Sequence, residues 1–195
     1  MNHVMVDIEC LGSQPGSVIV SIGAVRFGLP VGIADTDPFY RNISIKSSIK
    51  AGCTVDGDNV KWWLTQSKEA QERLFDPAPT GFHEALSAFR QWYGTPKFTW
   101  SHGSNFDLTL LDSAYRLLNQ MPPWKYKQVR DTRTMFWMAP DYGRFVKERK
   151  AMVPVDGVKH DALADAIRQV HWVQSAYRLI LGERLDQTPE VEESD

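Results

Sequence analysis

The sequence predicts an α/β fold, a mixed sheet flanked by helices, on three observations. Over the first nine positions Val4, Val6 and Ile8 alternate with Met5, Asp7 and Glu9, the period of a half-buried strand. Two more strand-like stretches follow before any helical pattern begins. Beyond them, helical periodicity alternates with short apolar runs. Strands first, then strand–helix alternation, describe a central sheet with helices packed on it.

The elements follow in order. Gly12 to Gly16, with Pro15, reads as a turn, and Ser17 to Gly28 as a second strand rich in Val and Ile. Pro38 to Ser44 supplies a third, completing an antiparallel meander. Asp56 or Asp58 caps a short helix through Trp62, Trp63 and Leu64, and Thr80 or Gly81 opens another through Ala85, Leu86, Phe89 and Trp92. Lys97 to His102 is a short apolar strand, and Asn105 begins a helix to Leu118. Val129 to Asp131 ends a strand, and Thr132 to Met138 starts a helix. Pro140 to Lys159, with Arg144, Lys147, Arg149 and Lys150, is expected to be a loop or mobile segment. Asp161 to Leu181 is the longest helical pattern, stopped by Gly182. The division is one domain over 1–183 and an acidic, disordered tail over 184–195.

At 195 residues, 43% hydrophobic and 24% charged, the chain has an ordinary globular composition. That excludes a collagen, a disulfide scaffold and a chain disordered throughout. The most apolar run, Val18 to Leu29, is too short for a membrane span and is broken by Ser21 and Arg26. Asp7 and Glu9 follow at once on the N-terminus, so no signal peptide is visible. Two cysteines, Cys10 and Cys53, point to a reducing compartment, and the expected location is cytoplasmic. The net charge is −2, but five of the 24 acids lie in the last ten residues. The body therefore holds 22 basic against 19 acidic residues, a charge of +3 that permits a polyanionic substrate without demanding one.

Asp7 and Glu9 sit two apart on the first strand, so both project from one face. Adjacent like charges disfavour each other's ionisation, and a divalent cation removes the conflict. A strand end in water is the plainer alternative. Asp107 falls at the N-terminal end of the stripe Leu110, Leu111, Ala114, Leu117, Leu118, where the pattern calls for an apolar side chain. A carboxylate there needs a partner, or else serves the first turn of the helix. Asp165 projects almost opposite the stripe Leu163, Ile167, Val170, Tyr177, Leu181, which by itself describes a solvated face. His160 lies five residues before it and can share a site with it only from the preceding loop, with Asp161 as the cap.

Together the three stretches resemble a known family. Asp7-Ile8-Glu9, Ser101-His102-Gly103-Ser104-Asn105-Phe106-Asp107 and His160-x4-Asp165 are similar, in order, to the three motifs of the DnaQ-like 3′–5′ exonucleases of the DEDDh type. Lys61-Trp62-Trp63 and Arg130-Asp131-Thr132-Arg133-Thr134 resemble segments of phage-type exonuclease A and its bacterial relatives. The resemblance covers residues 2 to 182 and implies a ribonuclease-H-like fold. It further implies that Asp7, Glu9, Asp107 and Asp165 hold two Mg²⁺ ions, for which Mn²⁺ can substitute, and that His160 takes a proton from the attacking water. The implied reaction releases nucleoside 5′-monophosphates from the 3′ ends of single-stranded DNA or RNA, with DNA favoured on the phage-like segments.

Around that set, Ile8, Leu11, Trp62 and Asn105 are candidates for contact with the terminal nucleotide, although core positions for both tryptophans and a capping role for Asn105 explain them as well. Asp131 matches a family acid and equally suits a helix cap. The basic run from Arg144 to Lys150 is read as an ordinary solvated face. His3, His83, His102 and His171 have no counterpart and are taken as structural, and both cysteines as free thiols. A homodimer is admitted, and no membrane partner is expected. Two readings stand beside the exonuclease: a binding module of the same fold without catalysis, and a two-metal phosphoesterase acting on free nucleotides.

Overall fold

The computed structural model describes residues 1–33, 37–74, 77–152 (side chains of 150–152 excepted) and 158–183, so the expected tail lies outside the described residues. Five strands form one sheet: β1 (His3–Cys10), β2 (Ile19–Phe27), β3 (Phe39–Asn42), β4 (Phe98–Ser101) and β5 (Val129–Asp131). Their order is β3-β2-β1-β4-β5. The first three strands pair antiparallel, and β4 and β5 add parallel to β1. The mixed sheet is the expected one.

Alternation along β1 builds two cores. Val4, Val6, Ile8 and Cys10 join a cluster with Leu86, Phe89, Leu108 and Leu111, from helices on one face. Met5 faces the other side and joins Val25, Phe27, Trp100, Ala166, Val170 and Val173. Asp7 and Glu9 therefore continue the second face, where the apolar sequence gives out. The β1–β2 register slips between Glu9 and Cys10, an irregularity that re-aims the strand end carrying Glu9.

The helices are α1 (Ile45–Lys50), α2 (Gly57–Leu64), α3 (Lys68–Leu74), α4 (Phe82–Tyr93), α5 (Asp107–Leu117), α6 (Thr132–Met138), α7 (Tyr142–Met152) and α8 (Ala162–Ile180). Aspartates start three of them: Asp56 for α2, Asp131 for α6 and Asp161 for α8 each accept backbone N–H bonds from the first turn. Within the segment expected as a loop or mobile stretch, Tyr142–Met152 instead forms α7, and 153–157 lie outside the described residues. Phe145 buries against the second core, and the Arg149 guanidinium lies 5.3 Å from the Phe136 ring centre and 5.0 Å from that of Trp172. Arg149 is thus a packing residue more than a solvated one, while Arg144 pairs along the helix with Glu148 at 2.9 Å.

The buried face of α8 also differs from the expected stripe. Ala162, Ala166, Gln169, Val170, Val173 and Ala176 are buried, while Leu163, Ile167 and Tyr177 are only partly so and Leu181 is exposed. Small residues win because the helix lies close on β2. A Cβ added to Gly23 would meet Ala162 C and Leu163 N at 2.2 Å. The helix is thereby rotated so that Asp165 stands at the margin of its buried face instead of opposite it.

Gly23→Ala is expected to push the start of α8 off the sheet. We expect a loss of at least about 1–3 kcal/mol, the usual scale of overpacking, in a denaturant melt. An unchanged melt would show that the close approach is not required.

Candidate active site

Three segments converge on the end of β1. Asp7 and Glu9 come from the strand itself, Asp107 from the first residue of α5, and His160 with Asp165 from the entry to α8. One oxygen of Glu9, one of Asp165 and one ring nitrogen of His160 all lie within 4.8 Å of one another. Asp107, buried, accepts the Ile8 N–H at 3.3 Å and so is tied to the β1 backbone between Asp7 and Glu9. A single copy of the chain supplies all five residues.

Local structure explains each position. α5 begins at Asp107, two residues later than expected, and no side chain caps it, so Asn105 is exposed and makes no cap. The loop ahead of it is fixed from below: Asp131 accepts both the N–H and the hydroxyl of Ser104, at 2.8 and 3.3 Å, while capping α6 through Arg133 N–H. At the third segment, His160 has a φ of +65°, unusual for a residue with a side chain. Its N–H donates to Asp165 at 3.1 Å, which ties the histidine to the carboxylate across the helix start.

The electrostatics are adverse without a cation. Burial first, then the neighbouring Asp107 and Glu9 carboxylates, push Asp7 well above the usual carboxylate range. Glu9 is pushed up to about 8 by burial, Asp107 and Asp161. Burial raises Asp107 to about 7 even though the backbone N–H of Ile8 and the charge of Arg133 oppose the rise. His160 moves the other way: burial, then Lys159 and Arg168, lower its pKa and favour the neutral imidazole. Two buried atoms, His160 Nε2 and Gln169 Oε1, lack a hydrogen-bond partner among the described residues. Clustered hard oxygen donors and unsatisfied polar atoms beside them fit a divalent cation site.

Trp62 and Trp63 divide as their helical positions require. Trp63 is core, its indole N–H donating to Cys10 O at 2.9 Å. Trp62 is 43% exposed and stands edge-on to the His160 ring, with centroids 5.0 Å apart. Ile8 and Leu11 are buried in the first core, so neither offers an open apolar surface. Sequence reasoning missed three neighbours. Gln169 donates to Asp7 at 2.6 Å, Arg168 pairs with Asp165, and the Phe106 ring is exposed beside Asp107. Arg168 follows Asp165 at i+3, a spacing that could have flagged it. Of the other histidines, His102 is held by Thr132 at 2.6 Å, and burial, with Arg133 and Arg149, lowers it to about 4; His3 accepts from Trp100 at 2.9 Å.

With this geometry in hand, likeness to other proteins decides the family. Residues 2–177 match the family model of the 3′–5′ exoribonuclease Rv2179c-like domain. The chain belongs to this family. Its description has no counterpart to the expected nearness to phage-type exonuclease A. No curated protein sequence matches the chain. Among solved structures, cell-death related nuclease 4 is 15% identical with a TM-score of 0.62 over 89% of this chain and 62% of its own. E. coli Exonuclease I, in complex with a dT13 oligonucleotide, is 14% identical with a TM-score of 0.65 over 92% of this chain and 42% of its own. The chain thus spans less than two thirds of either protein. The nuclease domain of 3′hExo, a DEDDh family member bound to rAMP, is 15% identical with a TM-score of 0.61, covering 89% of this chain and 90% of that one. At such identities these likenesses establish a shared fold, and with it the ribonuclease-H-like sheet expected from the motifs. Among the described residues, no helix is long and apolar enough to cross a membrane.

The raised carboxylates make metal-free stability depend on pH. A carboxyl whose pKa rises on folding stabilises the folded state fully below its unfolded value and loses that contribution as pH climbs through the folded one. For Glu9 the window runs from 4.5 to about 8. In chelator, the melting temperature should fall by about 5–10 °C between pH ~5 and ~8.5, the scale of a few kcal/mol in a domain this size. Asp7→Asn should flatten that fall, and Mn²⁺ should reverse it in the wild type. A melt indifferent to pH and to Mn²⁺ would contradict the assignment.

Proposed function

We propose that the protein is a divalent-metal-dependent 3′–5′ exonuclease that removes nucleoside 5′-monophosphates from single-stranded nucleic acid, RNA ahead of DNA. The observation that carries this reading is the meeting of Glu9, Asp165 and His160 within 4.8 Å, beside half-buried Asp7 and buried Asp107. The Trp62-Trp63 and Arg130–Thr134 segments lean to DNA in the sequence; the exoribonuclease description of the family tips the substrate to RNA. The free, buried Cys10 and Cys53 suit the reducing cytoplasm.

Asp7, Glu9, Asp107 and Asp165 would hold Mg²⁺ or Mn²⁺. When bound, such ions lower the pKa of water and neutralise charge on the transferring phosphoryl group. The chain's own residues do the rest. His160, kept neutral, accepts the proton of the attacking water as its oxygen bonds to phosphorus, and the 3′-oxygen of the preceding nucleotide departs. Gln169 orients the Asp7 carboxylate, and the Asp165 tie to His160 N–H fixes the histidine's distance from the acids. Trp62, exposed against the His160 ring, offers an aromatic face to the terminal base, and Asn105, on the exposed side of the Asp107 loop, a polar contact. Ile8 and Leu11 act through the strand and loop backbone that they anchor.

Matched end-labelled RNA and DNA strands with Mg²⁺ test the proposal on a sequencing gel. The expected result is a ladder shortening from the 3′ end, faster on RNA, abolished by chelator and by Asp7→Ala. His160→Ala should slow turnover by about two to four orders of magnitude, the range for losing a general base. Full activity in that variant would remove His160 from the chemistry.

A further inference from the structure

Beside the site lies a second concave surface that the chemistry above does not use. It is an open groove of about 1010 Å³ that starts at Ser104 and Asn105, in the loop carrying Asp107, and runs along α5 to Lys125, Tyr126 and Lys127. We propose that this groove carries the single-stranded polynucleotide on the 5′ side of the bond being cut, a reading that rests on the exonuclease assignment.

The floor is apolar and rigid. Leu108 and Trp124 are buried, and the Trp124 ring packs 6.1 Å from Tyr93 and 6.4 Å from Tyr115. The far rim is a one-turn 3₁₀ helix, Tyr126–Gln128, locked from both ends by Gln128. Its side-chain oxygen accepts Lys125 N–H at 2.7 Å, and its amide nitrogen donates to Pro96 O at 2.7 Å. This fixed turn holds the Tyr126 ring almost wholly in solvent, at 91% exposure. An exposed aromatic on a rigid turn gains little for the fold, but it offers a ready stacking face to an unpaired base, and such stacking is indifferent to sequence.

Charge selects the occupant. Arg116 on the wall is paired with Asp112, so that acid is neutralised within the groove. Lys125 and Lys127 are exposed and have no salt-bridge partner among the described residues. Two free cations flanking an exposed ring suit phosphates on either side of a base. An apolar peptide would leave both lysines unused. Ser104, pinned by Asp131, and Asn105 line the near end of the groove and belong to the same loop as Asp107, three and two residues before it. A strand whose last nucleotide lies at the carboxylates would reach the groove by passing over this loop.

Two probes separate the groove from the chemistry: a 5′-fluorescein RNA 12-mer, and the p-nitrophenyl ester of a nucleoside 5′-monophosphate, too short to leave the site. Anisotropy of the 12-mer is read in chelator, so that binding is seen without cleavage, and kcat/KM is read for both probes with Mg²⁺. Tyr126→Ala should weaken 12-mer binding about tenfold, the scale of one lost base stack. It should also lower kcat/KM for the 12-mer about tenfold more than for the ester. Lys125→Gln with Lys127→Gln should make the plot of log affinity against log salt shallower by about 1.4, the loss of two phosphate contacts to a single strand. Wild-type trimming of the 12-mer with both variants indistinguishable from it would overturn the groove and leave the exonuclease reading intact. A wild type that cuts neither probe would defeat that reading first.

Discussion

Buried like charge is the constraint on which this molecule turns. Asp7, Glu9 and Asp107 are drawn together at the end of one strand, where burial raises all three pKa values and the Asp107 charge adds to the rise at Asp7 and Glu9. A fold does not gain stability from such a cluster, because each carboxylate is held where ionisation is disfavoured. What such a cluster offers is a place where added positive charge is favoured. Two neighbours suit such a place: the Gln169 amide donates to Asp7, and burial favours the neutral form of the His160 imidazole, whereas Arg168, paired with Asp165, is a positive charge that an incoming cation has to displace.

The surrounding architecture keeps that cluster from relaxing. α8 approaches β2 so closely that only glycine fits at position 23, which fixes the height of His160 and Asp165 above the sheet. The Asp107 loop is secured by Asp131, which caps α6 and holds Ser104 with a single carboxylate. Asp131 is thus the helix cap that the sequence allows, and its other carboxylate oxygen holds the Ser104 loop. These supports lie outside the carboxylate cluster, yet they set the distances within it.

Much of this was legible in the sequence, for identifiable reasons. β1, β2 and the core of α5 carry strong periodic signals, and the caps Asp56, Asp131 and Asp161 announce their helices. Helices α1 and α3, of six and seven residues, each bury one residue and so write almost no stripe. α7 writes no clear stripe because Phe145, the deeply buried apolar side chain among its described residues, stands among basic residues, and Arg149 serves as packing through its flat guanidinium. Asp165 reads as solvated from the sequence because large residues ordinarily mark the buried face of a helix, whereas the close contact at Gly23 selects alanines. The acid–histidine set was readable only as ordered motifs. Gln169 and the exposed Trp62 depend on where α8 and α2 land, which local pattern does not encode.

Anomalous diffraction from a crystal soaked in Mn²⁺ tests the central claim most directly. The expected result is strong peaks among Asp7, Glu9, Asp107 and Asp165, with Arg168 turned away from the Asp165 oxygen with which it pairs. Peaks elsewhere on the surface, or none within reach of these four carboxylates, would contradict it.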